Sequence, residues 1–368
     1  MDFDILPSEN IPKEALVISL PHKVRQELGV VLGQMLQFAT EDREIFLKVA
    51  IPFEENQSSA LVSKPIFDLI GVEPSQCSVP VITLGCDPEF FITYKGRKLS
   101  AATYLPFEGQ IGCDGDLGEL RPMYGRHESQ VVRNLASLIP KIPGQMQLAP
   151  WAKGAPENFQ EMEFLGRSYF RGVAAGFHVH LGIPPEILNT RQDVSRPVLN
   201  YLIKVLDWYA SVPLVILEVD NERRCGKAKY GHPGDFRTTN VTLEYRTPGG
   251  FYLRSPDMAG GLMGICLLLT EYLVREIKEL SHNFVDLRKI VAQDLLQIIP
   301  LPKRNLVQLT LGQENKNFAR RAYPVIKDRL RKLPNYSNHQ APIENFFRIV
   351  DSGSVPVPNL LINWEKFK

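Results

Sequence analysis

The sequence predicts an α+β protein: a small β-rich, barrel-like unit precedes a larger unit whose strands carry charge on one face. Three observations lead there. Four strand-like segments alternate polar and apolar residues, which puts Asp87 with Glu89, Glu119 with Arg121, His178 with His180 and Glu244 with Arg246 on shared faces. From Pro256 onward the chain turns mostly helical, near residues 257–281, 285–298, 315–333 and 341–350. Residues 1–78 hold two copies of strand, short helix and an apolar-Gly-Val tripeptide, Leu28-Gly29-Val30 and Ile70-Gly71-Val72, each after a proline, Pro21 and Pro65.

In the first unit, Leu16–Pro21 reads as a strand and His22–Leu28 as a short helix closed by Gly29. The echo suggests a small barrel with internal two-fold pseudo-symmetry, or chance similarity over few positions. Nothing in it looks catalytic; His22 beside Lys23 and Arg25 suits a solvated helix face. The second unit, 79–368, opens on an apolar run into Gly85-Cys86-Asp87-Pro88-Glu89-Phe90. Two carboxylates side by side on a strand repel unless a cation lies between them or one holds a proton. Lys95-Gly96-Arg97 is a turn into a return strand through Tyr104, and Gly112–Pro122 gives tight turns and the Glu119/Arg121 strand. A helix over about 127–139 is amphipathic through Val131, Leu135 and Leu138. Residues 140–176, rich in Pro and Gly, suggest a long loop with one strand. The His178/His180 strand precedes a helix over about 194–212, a polar stretch with Arg223, Arg224, Lys227, Tyr230 and Arg237, and the Glu244/Arg246 strand.

Composition narrows the class. Hydrophobic residues at 44% and charged residues at 23% are ordinary for a globular protein, and a net charge of +1 gives no electrostatic case for nucleic acid or an anionic membrane. The start, Met1-Asp2-Phe3-Asp4, lacks a signal-peptide layout. The apolar run Met258–Val274 contains Thr270 and Glu271 and suits a buried helix. Five cysteines, an odd number without a Cys-x-x-Cys pair, suit reduced thiols in a cytoplasmic protein.

Pooled on one sheet face, the four strands would bring together carboxylates, two histidines and two arginines, with Asp114 nearby; such a cluster is expensive to bury unpaired. Divalent cations make it sensible. Carboxylate oxygens with an imidazole suit Mg²⁺ or Mn²⁺, and Arg223, Arg224, Arg237 and Arg246 could clamp phosphate oxygens. Each piece has a plainer reading. Asp-Pro-Glu alone suits a surface turn, His-x-His also suits zinc though no third His or Cys ligand stands out, and Glu-x-Arg alone suits a cross-strand ion pair. The conjunction on ordered strands favours a site. No P-loop, Rossmann fingerprint or nucleophile motif is present.

Taken in order, Gly-x-Asp-Pro-Glu-Phe, Asp-Gly…Glu-Leu-Arg-Pro, His-Val-His-x-Gly, Arg-Arg…Tyr-Gly…Phe-Arg and Glu-Tyr-Arg-Thr-Pro, over about residues 82–255, resemble the carboxylate–amine ligases (amidoligases) of phages and bacteria, in the glutamine synthetase and glutamate–cysteine ligase superfamily. The resemblance implies a curved antiparallel sheet with helices on its convex side and an active-site funnel on the concave side. It implies ATP-dependent phosphorylation of a small-molecule or peptide carboxylate, then attack by an amine. Carried over, Asp87, Glu89, Asp114, Glu119, His178 and Glu244 would hold metal, and Arg223, Arg224, Arg237 and Arg246 would contact phosphate or substrate carboxylate; beside them, Arg121 and Tyr230 are candidates for nucleotide contact and His180 for the transferring phosphate or the substrate, with a structural role as its alternative. The chain departs from the pattern in having Asp rather than Glu first, and in the spacing of Asp114 and Glu119. A phosphotransferase, or a non-catalytic nucleotide- or peptide-binding module, are the rival readings. The first unit would serve recruitment or assembly.

Overall fold

A computed structural model of the chain describes residues 4–13, 15–39, 44–53, 59–70, 77–78, 82–152, 154–188, 196–219, 222–225, 229–365 and 367. The fold is α+β. Its first sheet has six strands, β1 (Ile5–Ser8), β2 (Val17–Ser19), β3 (Met35–Ala39), β4 (Glu44–Ala50), β5 (Ala60–Ser63) and β6 (Cys77–Ser78), in the order β1-β5-β2-β4-β3-β6. The expected barrel is corrected: the sheet is an open, mixed one that does not close among the described residues. The pseudo-symmetry has a topological counterpart. β2 and β5 lie side by side and antiparallel, each has a parallel neighbour (β4 and β1), and each runs straight into a short helix, His22–Leu28 or Lys64–Ile70. Gly29 ends the first of these helices at φ +66, a left-handed cap that glycine adopts without strain; the matching Gly71 and Val72 lie outside the described residues.

The second sheet is antiparallel in every pairing. Its strands are β7 (Thr83–Tyr94), β8 (Arg97–Leu99), β9 (Ile111–Asp114), β10 (Leu117–Leu120), β11 (Met162–Leu165), β14 (Phe177–Gly182), β15 (Phe236–Thr238) and β16 (Thr242–Tyr245); β12 (Tyr169–Phe170) and β13 (Val173–Ala174) make a separate hairpin. The main path is β15-β16-β14-β7-β10-β9, with β8 and β11 on the far half of β7. Strand alternation splits the faces. Phe90, Ile92, Val179, Leu181, Leu243 and Tyr245 enter one large core, into which the helix Pro256–Leu280 sends Met258, Leu262, Ile265 and Leu269. The opposite face carries Asp87, Glu89, Glu119, His178, His180 and Glu244.

Pro88 sits inside central strand β7, where a proline costs a ladder hydrogen bond. The Glu89 N–H bonds to the Gly176 carbonyl on the β14 side, so the position of Pro88 faces β10, whose pairing with β7 stops at Glu89. The proline lies where the ladder is interrupted anyway.

Several expected elements are revised. The return strand ends at Leu99, because Ala101–Thr103 forms a 3₁₀ turn held by the Ala101 N–H on the Asp116 carbonyl. Residues 140–176 carry β11, β12 and β13; Met162 and Phe164 alternate into the core and Phe164 meets Phe90 edge-on at 6.1 Å. The helix after β14 passes through a π-helical turn at Asp207–Ser211 and continues to Leu217. The helix expected near 341 spans Tyr336–Ser352, with Pro342 inside it against Gly260 and Gly261 of Pro256–Leu280. Among the described residues two helices, Pro197–Leu217 and Pro256–Leu280, are long and apolar enough to cross a bilayer, but 78% and 83% of their apolar windows are buried within the fold.

Candidate functional site

The charged face forms rows fixed by strand register. Arg237, Glu244, His180 and Gly85 stand opposite one another across β15, β16, β14 and β7; His178 and Asp87 form the next row; Glu89 and Glu119 form a third. Gly85 is required there. A Cβ would come within 2.5 Å of the Tyr124 ring, which lies over the strand and puts its hydroxyl 3.2 Å from His180 Nδ1.

Asp87 is the hub. Its Oδ1 is 3.1 Å from His178 Nδ1 and its Oδ2 is 3.0 Å from His180 Nε2. Glu244 Oε1 is 3.6 Å from His178 Nδ1 and 3.2 Å from Arg246 Nη1. Tyr230 joins the far side, its hydroxyl 2.6 Å from His178 Nε2 and accepting from Arg246 Nη2 at 2.6 Å. Burial opposes ionisation of Asp87, but close polar contact with the two histidines and their charge outweigh it and hold the carboxyl well below its ordinary value. For His180, burial disfavours the charged ring, and Asp87 and Glu244 outweigh that and raise it. Glu89 goes the other way: burial pushes its carboxyl up, although the Gly176 N–H donates to it at 2.5 Å.

Close approach has not produced satisfied hydrogen bonds. Asp87 Oδ1, His180 Nε2, Arg246 Nε and Arg246 Nη1 are buried and make none. Such groups normally find partners. Ligand atoms of Asp87, His180 and Glu244 lie within 4.8 Å of one another, a spacing that fits one cation. Glu89 and Glu119 stand directly opposite across β7 and β10, with Arg121 paired to Glu119. The oxygen-rich donors with one imidazole suit Mg²⁺ or Mn²⁺.

The sequence-derived residues divide by access. Asp87, Glu89, Glu119, His178, His180, Glu244, Arg246 and Tyr230 gather as expected on one face; Arg237 stands exposed in the Glu244 row. His178 and His180 both touch Asp87, but the three-ligand cluster uses His180 rather than His178. Asp114 stands apart from the cluster, exposed at the tip of the β9–β10 hairpin, opposite Leu117 and one same-face row beyond Glu119. Arg121 pairs with Glu119 and donates to the Gly109 and Cys113 carbonyls.

Arg223 and Arg224 also stand apart, because both are buried beneath the face. Arg223 donates to the carbonyls of Thr247 (2.6 Å), Pro248 (2.9 Å) and Arg246 (3.2 Å), bracing the end of β16. Arg224 bonds Glu218 at 2.6 Å and Glu314 at 3.0 Å, and its other nitrogens reach the Gly231 and Thr247 carbonyls. Tyr124 and the Gly176 N–H were not foreseen. For Tyr124 the available signal was the Tyr-Gly pair just after Glu-Leu-Arg-Pro; Gly125 bridges back to Leu84 and so lays the tyrosine across Gly85.

Residues 84–356 match the family model described as "Phage phiEco32-like COOH.NH2 ligase-type 2". No match was found among curated proteins. Among solved structures, a bifunctional glutathione synthetase from Pasteurella multocida is similar over 73% of this chain at 11% identity with a TM-score of 0.34, and the chain spans 52% of that chain's length.

Proposed function

Because the chain belongs to the phage phiEco32-like COOH.NH2 ligase-type 2 family, whose members join carboxyl to amine groups, we propose that it forms an amide bond on the face of β7, β14 and β16, driven by ATP with Mg²⁺ or Mn²⁺. The observation that carries the ATP and metal part is the set of buried, unsatisfied polar atoms of both signs: Asp87 Oδ1 and His180 Nε2 beside Arg246 Nε and Nη1. A cation on Asp87, His180 and Glu244 would draw Glu244 away from Arg246, whose Nη1 is 3.2 Å from Glu244 Oε1, and a phosphate on that cation would answer the guanidinium. A metal-bound phosphate answers both signs.

On this reading Asp87, His180 and Glu244 hold one cation and Glu89 with Glu119 another. The cations neutralise phosphate charge when bound. Arg246, aimed by Tyr230, contacts the transferring phosphoryl group, and exposed Arg237 meets the substrate carboxylate. His178 positions Asp87 and Tyr230 from between them. Arg223 and Arg224 keep β16 and the Gly231–Gly234 loop in place. The ATP phosphoryl group passes to a carboxylate oxygen to give an acyl phosphate and ADP; the amine then attacks the acyl carbon, and phosphate leaves with that oxygen. We read the antiparallel sheet as glutamine synthetase-like, and residues 1–78 as a separate recruitment or assembly unit.

The test is isotopic. Purified protein with ATP, Mg²⁺ and pools of amines and ¹⁸O-labelled carboxylates is expected to release ADP only when both substrates are present, with label in the released phosphate. Label in AMP would overturn the acyl-phosphate route. A stable phosphorylated product without an amine requirement would make the protein a phosphotransferase.

A further inference from the structure

A second histidine–carboxylate cluster lies away from the charged face, where three helices meet. His127 caps the helix Glu128–Leu138, His339 sits in Tyr336–Ser352 and Glu271 in Pro256–Leu280. The two oxygens of Glu128 are shared out: Oε1 is 3.0 Å from His127 Nδ1 and Oε2 is 2.8 Å from His339 Nδ1. The two imidazoles are stacked, with centroids 5.0 Å apart and planes 25° from parallel. His339 Nε2 is in turn 3.0 Å from Glu271 Oε2. Glu128 and His339 are almost wholly buried, while the His127 side chain is 42% exposed.

We propose that His127, Glu128 and His339 form a zinc-class divalent metal site that ties the helix Glu128–Leu138 to Tyr336–Ser352. Ligand atoms of the three lie within 4.8 Å of one another. Two imidazoles and one carboxylate from two elements are a donor set typical of zinc with one position left open. A divalent ion would take the place of the protons that the two Nδ1 atoms now share with Glu128. Two further features are those of a metal centre. Glu271 on the outer nitrogen of His339 is the carboxylate that orients a ligating imidazole and raises its basicity. A cleft of about 410 Å³, lined by His127 and Glu271 among others, gives the open position access to water and the ion a way in.

The experiment uses the full chain, stripped with a chelator and titrated with Zn²⁺ against a chromogenic competitor, and separately with Co²⁺ by visible absorption. Asp87→Asn marks the charged face and His127→Ala the second cluster. In the D87N background, which silences the charged face, one tight Zn²⁺ and the d–d bands of a four-coordinate Co²⁺ site are expected; H127A in that background is expected to lose both. Exposure of His127 favours a folded H127A, which circular dichroism checks. Should it unfold, E271Q, which keeps all three ligands, is expected to weaken Zn²⁺ binding about 10- to 100-fold. No tight Zn²⁺ in stripped D87N, or, in that background, retention in folded H127A or unchanged affinity in E271Q, would each overturn the proposal.

Discussion

At the scale of single residues, the two arginine classes are the clearest lesson. Arg224 resembles a phosphate clamp in sequence, yet it is an internal counter-ion, and removing it leaves Glu218 and Glu314 buried without their partner. Arg224→Met is expected to cost about 3–5 kcal/mol of stability, read from urea unfolding; a loss below 1 kcal/mol would count against a structural role. Asp87→Asn belongs to the other class. Wild type is expected to gain about 2.7 kcal/mol with Mg²⁺-ATP at a hundred times its Kd, and D87N to lose that gain while staying folded, as measured by thermal unfolding with and without ligand. Gly85→Ala pushes the Tyr124 ring off the strand and His180 with it; turnover is expected to fall about a hundredfold, as for other misplacements of about 1 Å. Glu314 sets a pH dependence. Burial, then the Glu218 charge, push its carboxyl up to about 7, against an ordinary value of 4.5. The folded chain therefore keeps a proton over that interval that the unfolded chain has lost, so stability from this group is greatest below about pH 4.5 and declines as pH rises to 7. Glu314→Gln is expected to flatten that part of a plot of urea midpoint against pH.

At the scale of elements, legibility followed periodicity. β7, β14 and β16 could be read because two-residue alternation and a one-sided charge pattern reinforce each other, and the helix Pro256–Leu280 because it is apolar and opens with Ser255 capping the Met258 N–H. The short strands β11, β12 and β13 carry only two to four residues each, too few for a period to emerge. The π-helical turn at Asp207–Ser211 leaves no composition signal; it is visible in what it does, since Asp207 accepts from Tyr245, Thr247 and the Gly234 N–H. The site residues on regular strands were legible for the same reason as the strands. The burial of Arg224 was not: Glu218 is six residues away but lies outside any strand pattern, and its second partner, Glu314, is 90 residues away in sequence.

At the scale of the whole molecule, the first sheet touches the second unit. Met123 packs into the core of the first unit, Gln130 bonds Glu44, and Arg126 reaches Gln37 at 3.4 Å. A cavity of about 290 Å³ is lined by Gln34 and Met35 from the first unit and by Thr83, Gly182 and Thr242, the ends of the ligand-bearing strands. A chain starting at residue 79 is therefore expected to bind Mg²⁺-ATP but unfold at lower urea than the full chain; full loss of nucleotide binding in a folded truncation would make the first unit part of the site. The long-range partnerships also impose an order on synthesis. All strands of the charged face exist once residue 246 has been made, but Arg224 has only Glu218 to answer it until Glu314 follows, and the bridge from Leu165 waits for Asn359. A nascent chain stalled between these points has a finished face on an unfinished foundation. On the ribosome it is expected to be cut readily by protease and to make no product, so that the ligase switches on only once residue 359 has emerged.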